Sequence, residues 1–253
     1  MRYRLLPKSQ LLDDSDCSSV DEADIVPPEF LREAIFAAGS FYTLEAAFGQ
    51  VDGVVRTATG YFGGSTVKPS YRQVLEGNTG HTEAVRVTYD QRKIAYKSLC
   101  NIFWSCHDPT NKDYLSFGAG THHRSAIFYS GDNEKKEAQE SKVKKQIRLD
   151  KRIVTKILPF GSTPTFYLAE SQHQKYYLQN NHVRLCQAMG LRSSEQFVDS
   201  HLACKLNGIL SGGQGKVAEQ LKSFVAKYPV TLEMKLIIEE IICNFDLKLP
   251  SIV

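Results

Sequence analysis

A five-residue apolar run, Ala34-Ile35-Phe36-Ala37-Ala38, stops at Gly39 and gives way at once to helical spacing at Phe41, Leu44, Ala47 and Phe48. This junction constrains the fold more than any other feature. A run that short and that apolar reads as a strand buried on both faces. A helix starting two residues later must turn back across the sheet that holds it. Ser40 stands at the turn, the position of an N-cap. Val54 to Thr59 reads as the next strand, followed by a polar loop from Gly60 to Gly64. Glu83 to Tyr89 alternates like a half-buried strand ended by Asp90. Tyr96 to Cys106 has helical periodicity, Ser125 to Tyr129 is a strand, and Glu134 to Arg148 a helix. Ile153 to Leu158 is a strand and Glu170 to Gln179 a further helix. Hairpin-like neighbours mixed with crossover helices predict an α+β sandwich of the split β-α-β, ferredoxin-like kind.

On either side of that core the composition changes. Residues 1–30 form an acidic arm with Asp13, Asp14, Asp16, Asp21, Glu22 and Asp24, ending at Pro27-Pro28, and are expected to be disordered. Residues 31–182 hold the α+β pattern. Residues 183–253 read as a helical extension. In it Ser193-Ser194-Glu195-Gln196 fits a capping box, and Val198, Leu202, Leu206 and Ile209 share one stripe. Amphipathic segments near Val217–Val225 and Leu232–Cys243 follow.

Charge and cysteine usage narrow the function classes. Thirty-one Lys and Arg against 28 Asp and Glu leave +3, too slight to point to nucleic acid. No apolar run approaches the roughly 20 residues of a bilayer span, and the start of the chain lacks a secretory pattern, so no membrane partner and a cytoplasmic setting are expected. Cys17, Cys100, Cys106, Cys186, Cys204 and Cys243 contain no CxxC pair, which argues against a disulfide framework and a structural zinc site. Neither metal nor cofactor is expected. The nine Lys and Arg against four acids between residues 134 and 156 read as a solvated helix face, with binding of an acidic partner as the second reading.

Eight short segments occur in one order and spacing. They are Phe36-Ala37-Ala38-Gly39-Ser40-Phe41-Tyr42, Gly53-Val54-Val55, Gly60-Tyr61-Phe62-Gly63-Gly64, Pro69-Ser70-Tyr71-Arg72-Gln73-Val74 and Thr79-Gly80-His81-Thr82-Glu83-Ala84-Val85. Phe103-Trp104-Ser105-Cys106-His107-Asp108-Pro109-Thr110, Gly120-Thr121-His122-His123-Arg124-Ser125-Ala126-Ile127 and His173-Gln174-Lys175-Tyr176 complete them. Together they resemble the peptide methionine-(S)-sulfoxide reductase family, type A, over about residues 33–180. The resemblance implies that family's α+β fold and its thiol chemistry. There a cysteine attacks the sulfoxide sulfur and becomes a sulfenic acid. A resolving cysteine condenses with it, and thioredoxin reduces the disulfide. A Phe-Trp pair forms the slot for the substrate methyl, and a Glu helped by Tyr side chains protonates the sulfoxide oxygen. The implied ligand is oxidised methionine, free or in peptides.

Carried over position by position, Glu83 matches the acid, Tyr71 one hydrogen-bonding tyrosine and Phe41 the first slot aromatic. Ser40 stands at the place of the nucleophilic cysteine, Tyr42 at that of the slot tryptophan, His123 at that of a second tyrosine, and Gly118 at that of an aspartate. With four positions departing together, Ser40 reads as divergence and not as an isolated exchange. A hydroxyl has no counterpart of the sulfenic state, since oxygen transfer to it would make a peroxide. Thiol-dependent turnover is therefore expected to be absent or very weak. Three alternatives stay open: a module that binds methionine or its sulfoxide without turnover, a scaffold using the helical extension, and hydrolytic chemistry from a Ser40–His123–Glu83 arrangement.

Overall fold

The computed structural model describes residues 26–112, 121–161, 165–212 and 214–246. Most of the acidic arm, with Cys17, and Gly118 lie outside them. Strand β1 (Leu31–Ala37) leads into helix α1 (Phe41–Gly49) and strand β2 (Val54–Phe62). Helix α2 (Tyr71–Leu75), strand β3 (Thr82–Asp90), helix α3 (Tyr96–Ser105), strand β4 (Ala126–Tyr129) and helix α4 (Asp132–Gln146) follow. Strands β5 (Lys156–Pro159) and β6 (Tyr167–Leu168) complete one sheet of order β5-β4-β1-β3-β2-β6. β3 lies antiparallel between β1 and β2, which makes β1-α1-β2 a split β-α-β unit, as the sequence predicts. β4 and β5 pair in parallel across the α4 crossover.

β1 lies inside the sheet, so both of its faces are covered. Ala34 and Phe36 enter the core under the helices, with Phe41, Leu44, Phe48, Leu99 and Phe103. Ile35 and Ala37 face the other way, against Phe62, Ala84, Ala126 and Phe128. This is why the run carries no polar residue. α3 packs between α1 and α4 on the helical face.

Several local expectations differ from the structure. β2 continues through Gly60, Tyr61 and Phe62, expected as loop, because they pair with β3, and Gly60 and Tyr61 also with β6. α2 is a single helical turn set by a capping box, with Ser70 N–H donating to Gln73 Oε1 at 2.9 Å. Glu170–Gln179 is not one helix: a 3₁₀ turn at Ser171–His173 is followed by α5 (Tyr176–Asn181), with Lys175 in a left-handed conformation between them.

The chain continues through α6 (Val183–Ala188), α7 (Ser194–Asp199), α8 (His201–Leu210), α9 (Gln214–Lys227) and α10 (Leu232–Asp246). The expected stripe from Val198 to Ile209 is broken at Ser200, whose side chain accepts from Ala203 N–H and caps α8. These helices share an apolar cluster that includes Leu185, Phe197, Leu206, Leu221, Phe224 and Ile238. α8 also closes on α1. A Cβ at Gly49 would stand 2.4 Å from Cys204 O, and one at Gly208 2.7 Å from Gln50 N, so two glycines permit the backbone approach.

Candidate active site

Gly39 has φ +73°, the left-handed region that lets β1 turn directly into α1. Ser40 occupies the N-cap position as expected, yet its hydroxyl makes no capping hydrogen bond. The first free amide of the helix is taken from elsewhere: Phe41 N–H donates to Glu83 Oε2 at 3.1 Å. The Glu83 side chain is only 2% exposed, and its second oxygen lies 3.3 Å from His123 Nε2. The structure thus brings Glu83, Phe41 and His123 together beside Ser40, although they come from β3, α1 and the 3₁₀ turn Thr121–His123. Glu83 sits in register with Tyr61 across the β2–β3 ladder, a placement that local sequence pattern does not reveal.

The aromatic side of the site is one connected cluster. The Phe41 ring lies 4.9 Å from Tyr42 and 6.3 Å from Tyr71 between centroids. Tyr42 stacks on Tyr176 at 4.1 Å, and Tyr71 lies 4.3 Å from His173. The Tyr42 hydroxyl is 2.6 Å from His173 Nδ1. Burial holds the His173 ring below the usual imidazole range and pushes the Tyr42 phenol up, so the neutral ring accepts from the phenol O–H. Burial, with the charges of Glu83 and Glu170 behind it, also raises the Tyr71 phenol. All three tyrosines around Phe41 (Tyr42, Tyr61 and Tyr71) therefore remain protonated donors through neutral pH.

Four participants escape sequence reasoning: Tyr61, Glu170, His173 and Tyr176. Tyr61 O–H donates to Glu170 Oε2 at 2.6 Å, and Tyr71 N–H to Glu170 Oε1 at 2.9 Å. Burial opposes ionisation of Glu170, but these two donors hold its carboxyl below the usual range. Glu170 thereby fixes the start of α2, and with it Tyr71, while His173 fixes Tyr42. The signal was present in part, since Tyr61, His173 and Tyr176 belong to quoted segments; Glu170 had none.

Other candidates are structural. His81 accepts from Gly64 N–H at 3.1 Å, with its other nitrogen 2.9 Å from Thr66 O. His107 bridges Phe103 O and Ser125 Oγ, and burial lowers its pKa to about 4. Ser40 forms no hydrogen bond with His123 or Glu83, so the hydrolytic arrangement is not assembled. The five cysteines of the described residues are free. Burial pushes Cys100 up to about 12, and Cys106 and Cys186 to about 11, which leaves them thiols at neutral pH. Cys204, on α8, is buried against Thr57, and Cys243 is exposed on α10. Among the described residues no group of His, Cys, Asp or Glu is placed to hold a metal ion, and no helix is long and apolar enough to cross a membrane.

Comparison with known proteins decides the family. The family model for peptide methionine sulfoxide reductase matches residues 32–206. The chain belongs to this family. The reaction this family is named for is an oxidoreduction at sulfur. The chain is 45% identical over 153 residues to a peptide methionine sulfoxide reductase of Methanosarcina mazei, covering 60% of this chain and 71% of that one. It is 39% identical over 190 residues to the chloroplastic reductase A4 of Arabidopsis thaliana, covering 75% and 70%. The solved structure of methionine sulfoxide reductase A of Corynebacterium diphtheriae superposes with a TM-score of 0.53 at 34% identity, over 61% of this chain and 76% of that one. Mxr1 of Saccharomyces cerevisiae in reduced form gives 0.54 at 30%, over 61% and 88%. The α+β sandwich is the fold of this reductase family.

Proposed function

We propose that this chain binds oxidised methionine, free or in peptides, in the site around Glu83, and that it lacks the sulfur needed to reduce it. One observation carries the reading. Glu83 is buried, held by Phe41 N–H and 3.3 Å from His123, while the neighbouring Ser40 hydroxyl makes no capping hydrogen bond. The half-buried Tyr71 brings a hydroxyl donor for a sulfoxide oxygen to the neighbourhood of Glu83, and the half-buried Tyr42 ring, packed on Phe41, offers an apolar contact for the methyl. Reduction of a sulfoxide to a sulfide consumes two electrons and two protons and releases water. A thiol supplies the electrons by passing through sulfenate and disulfide; the Ser40 hydroxyl has no such route. Thioredoxin, the reductant that the resemblance implies, would find no disulfide to reduce at Ser40.

The test places the protein beside its Ser40→Cys variant with methionine-(S)-sulfoxide and dithiothreitol, measuring methionine formed and, separately, sulfoxide affinity by calorimetry. Saturable binding without turnover in the Ser40 protein, and turnover on introducing Cys, is the expected pair. Turnover by the Ser40 protein itself, or no sulfoxide binding by either form, refutes the reading.

A further inference from the structure

The basic run that the site leaves unused ends in an unusual surface. Val143 and Ile147, one helical turn apart on the outer side of α4, are 61% and 80% exposed. Lys144, Arg148, Lys151 and Arg152 surround them, all exposed. No ion pair engages any of these four bases among the described residues; the nearby acid on α4, Glu140, faces Lys97 at 3.7 Å. Two projecting aliphatic side chains beside a net-positive cluster, which Asp150 and, through Lys151, Asp108 offset only in part, exceed what a solvated helix face needs.

Topology places this strip at the site's end of the sheet. β1 runs toward Ser40, and its last residue, Ala37, pairs with Ala126, the first of β4. Lys156 opens β5 opposite the same Ala126. β4 therefore leaves that end, α4 returns to it, and the 147–155 connection turns there. His107, just past the end of α3, touches Ser125 at that end too. With α3 between α1 and α4, the strip lies two helix spacings from the start of α1, about 20 Å. An extended peptide covers that distance in about six residues.

We propose that the strip around Ile147 and Arg148 docks an acidic, partly apolar segment of a protein whose oxidised methionine enters the site, about six residues away along that protein. This rests on the methionine-sulfoxide reading of the site and assigns its substrate class: proteins carrying Asp or Glu with an aliphatic residue at that distance. Opposite charge supplies the attraction, and Val143 and Ile147 supply apolar contact once the charges have met.

Fluorescence anisotropy tests it with synthetic methionine-(S)-sulfoxide peptides on the full chain. One set bears a Glu-Leu-Glu segment six residues before or after the sulfoxide, and the other bears Lys-Leu-Lys. The acidic set is expected to bind about tenfold more tightly at low salt, less so at physiological salt, where the screening length is about 8 Å. The preference should vanish in the Lys144→Glu/Arg148→Glu variant and shrink in Ile147→Ser. Equal affinities for the two sets, or a preference surviving charge reversal, overturns the proposal. Binding to phosphatidylserine vesicles without any peptide preference also overturns it and assigns the strip to lipid. A peptide with norleucine replacing the sulfoxide separates the two readings. If it keeps salt-sensitive binding that charge reversal abolishes, and the sulfoxide adds nothing, the strip stands and the pocket reading fails.

Discussion

Lys175→Met is the most informative single perturbation of this fold. Lys175 and Glu45 are both fully buried, with Nζ 2.6 Å from Oε1. Nζ also donates to Thr57 O at 2.7 Å. Glu45 Oε2 accepts from Lys175 N–H at 2.9 Å, and Oε1 from Thr57 O–H at 3.2 Å. Asn207 of α8 approaches the same carboxylate and accepts from Leu178 N–H. The methionine keeps most of the lysine stem's volume but strands a buried carboxylate and one carbonyl. Breaking one partner from such a pair costs about 3–5 kcal/mol. With a urea dependence of about 3 kcal/mol per molar for a chain of this size, the unfolding midpoint should fall by about 1–1.7 M. Glu45→Gln should cost about 3 kcal/mol. The double variant Glu45→Gln/Lys175→Met, which buries no unpaired charge, should cost at least 2 kcal/mol less than the sum of the singles. Urea unfolding followed by circular dichroism and by tyrosine fluorescence measures all three. A loss under 1 kcal/mol for Lys175→Met, or additive singles, would show that the pair is not the isolated buried couple described.

Other consequences follow from single contacts. Gly49→Ala places a methyl 2.4 Å from Cys204 O, so it should lower stability by about 1–3 kcal/mol by prising α8 from α1, read as a fall in melting temperature. Tyr42→Phe leaves His173 Nδ1 without its 2.6 Å donor; a stability loss of about 1–3 kcal/mol and weaker sulfoxide binding are expected, and unchanged affinity would remove Tyr42 from the site. His107 has a folded pKa of about 4 against 6.5 unfolded, so the unfolded chain binds the extra proton between those values. Stability should therefore fall as pH drops from 6.5 to 4, by about 3 kcal/mol from this group, and denaturation of His107→Asn across that window should show a flatter slope.

Much of the architecture is local, and local physics made it readable. The apolar run at residues 34–38 and the helical spacing after Gly39 placed β1 and α1, because burial on both faces and a one-sided helix leave different periodicities. The segments around Ser40, Tyr71, Glu83 and His123 named residues that the fold brings near one another, and the residue type at 40 by itself bore on whether sulfur chemistry is available. What sequence misread was local structure under long-range control. β2 extends because β3 and β6 both pair with its far end.

The sequence alone determined most of the elements, the resemblance to the family and the serine at position 40. Only the tertiary structure decided which polar groups meet. Glu83 reaches Phe41 N–H across 42 residues, Tyr42 reaches His173 across 131, and Glu45 reaches Lys175 across 130. Buried polar groups must be paired, but their partners are set by strand register and helix packing, which no local periodicity encodes. The same holds for the exposed strip on α4. Its composition is written in the chain, while its position at the site's end of the sheet follows from the parallel pairing of β4 with β5.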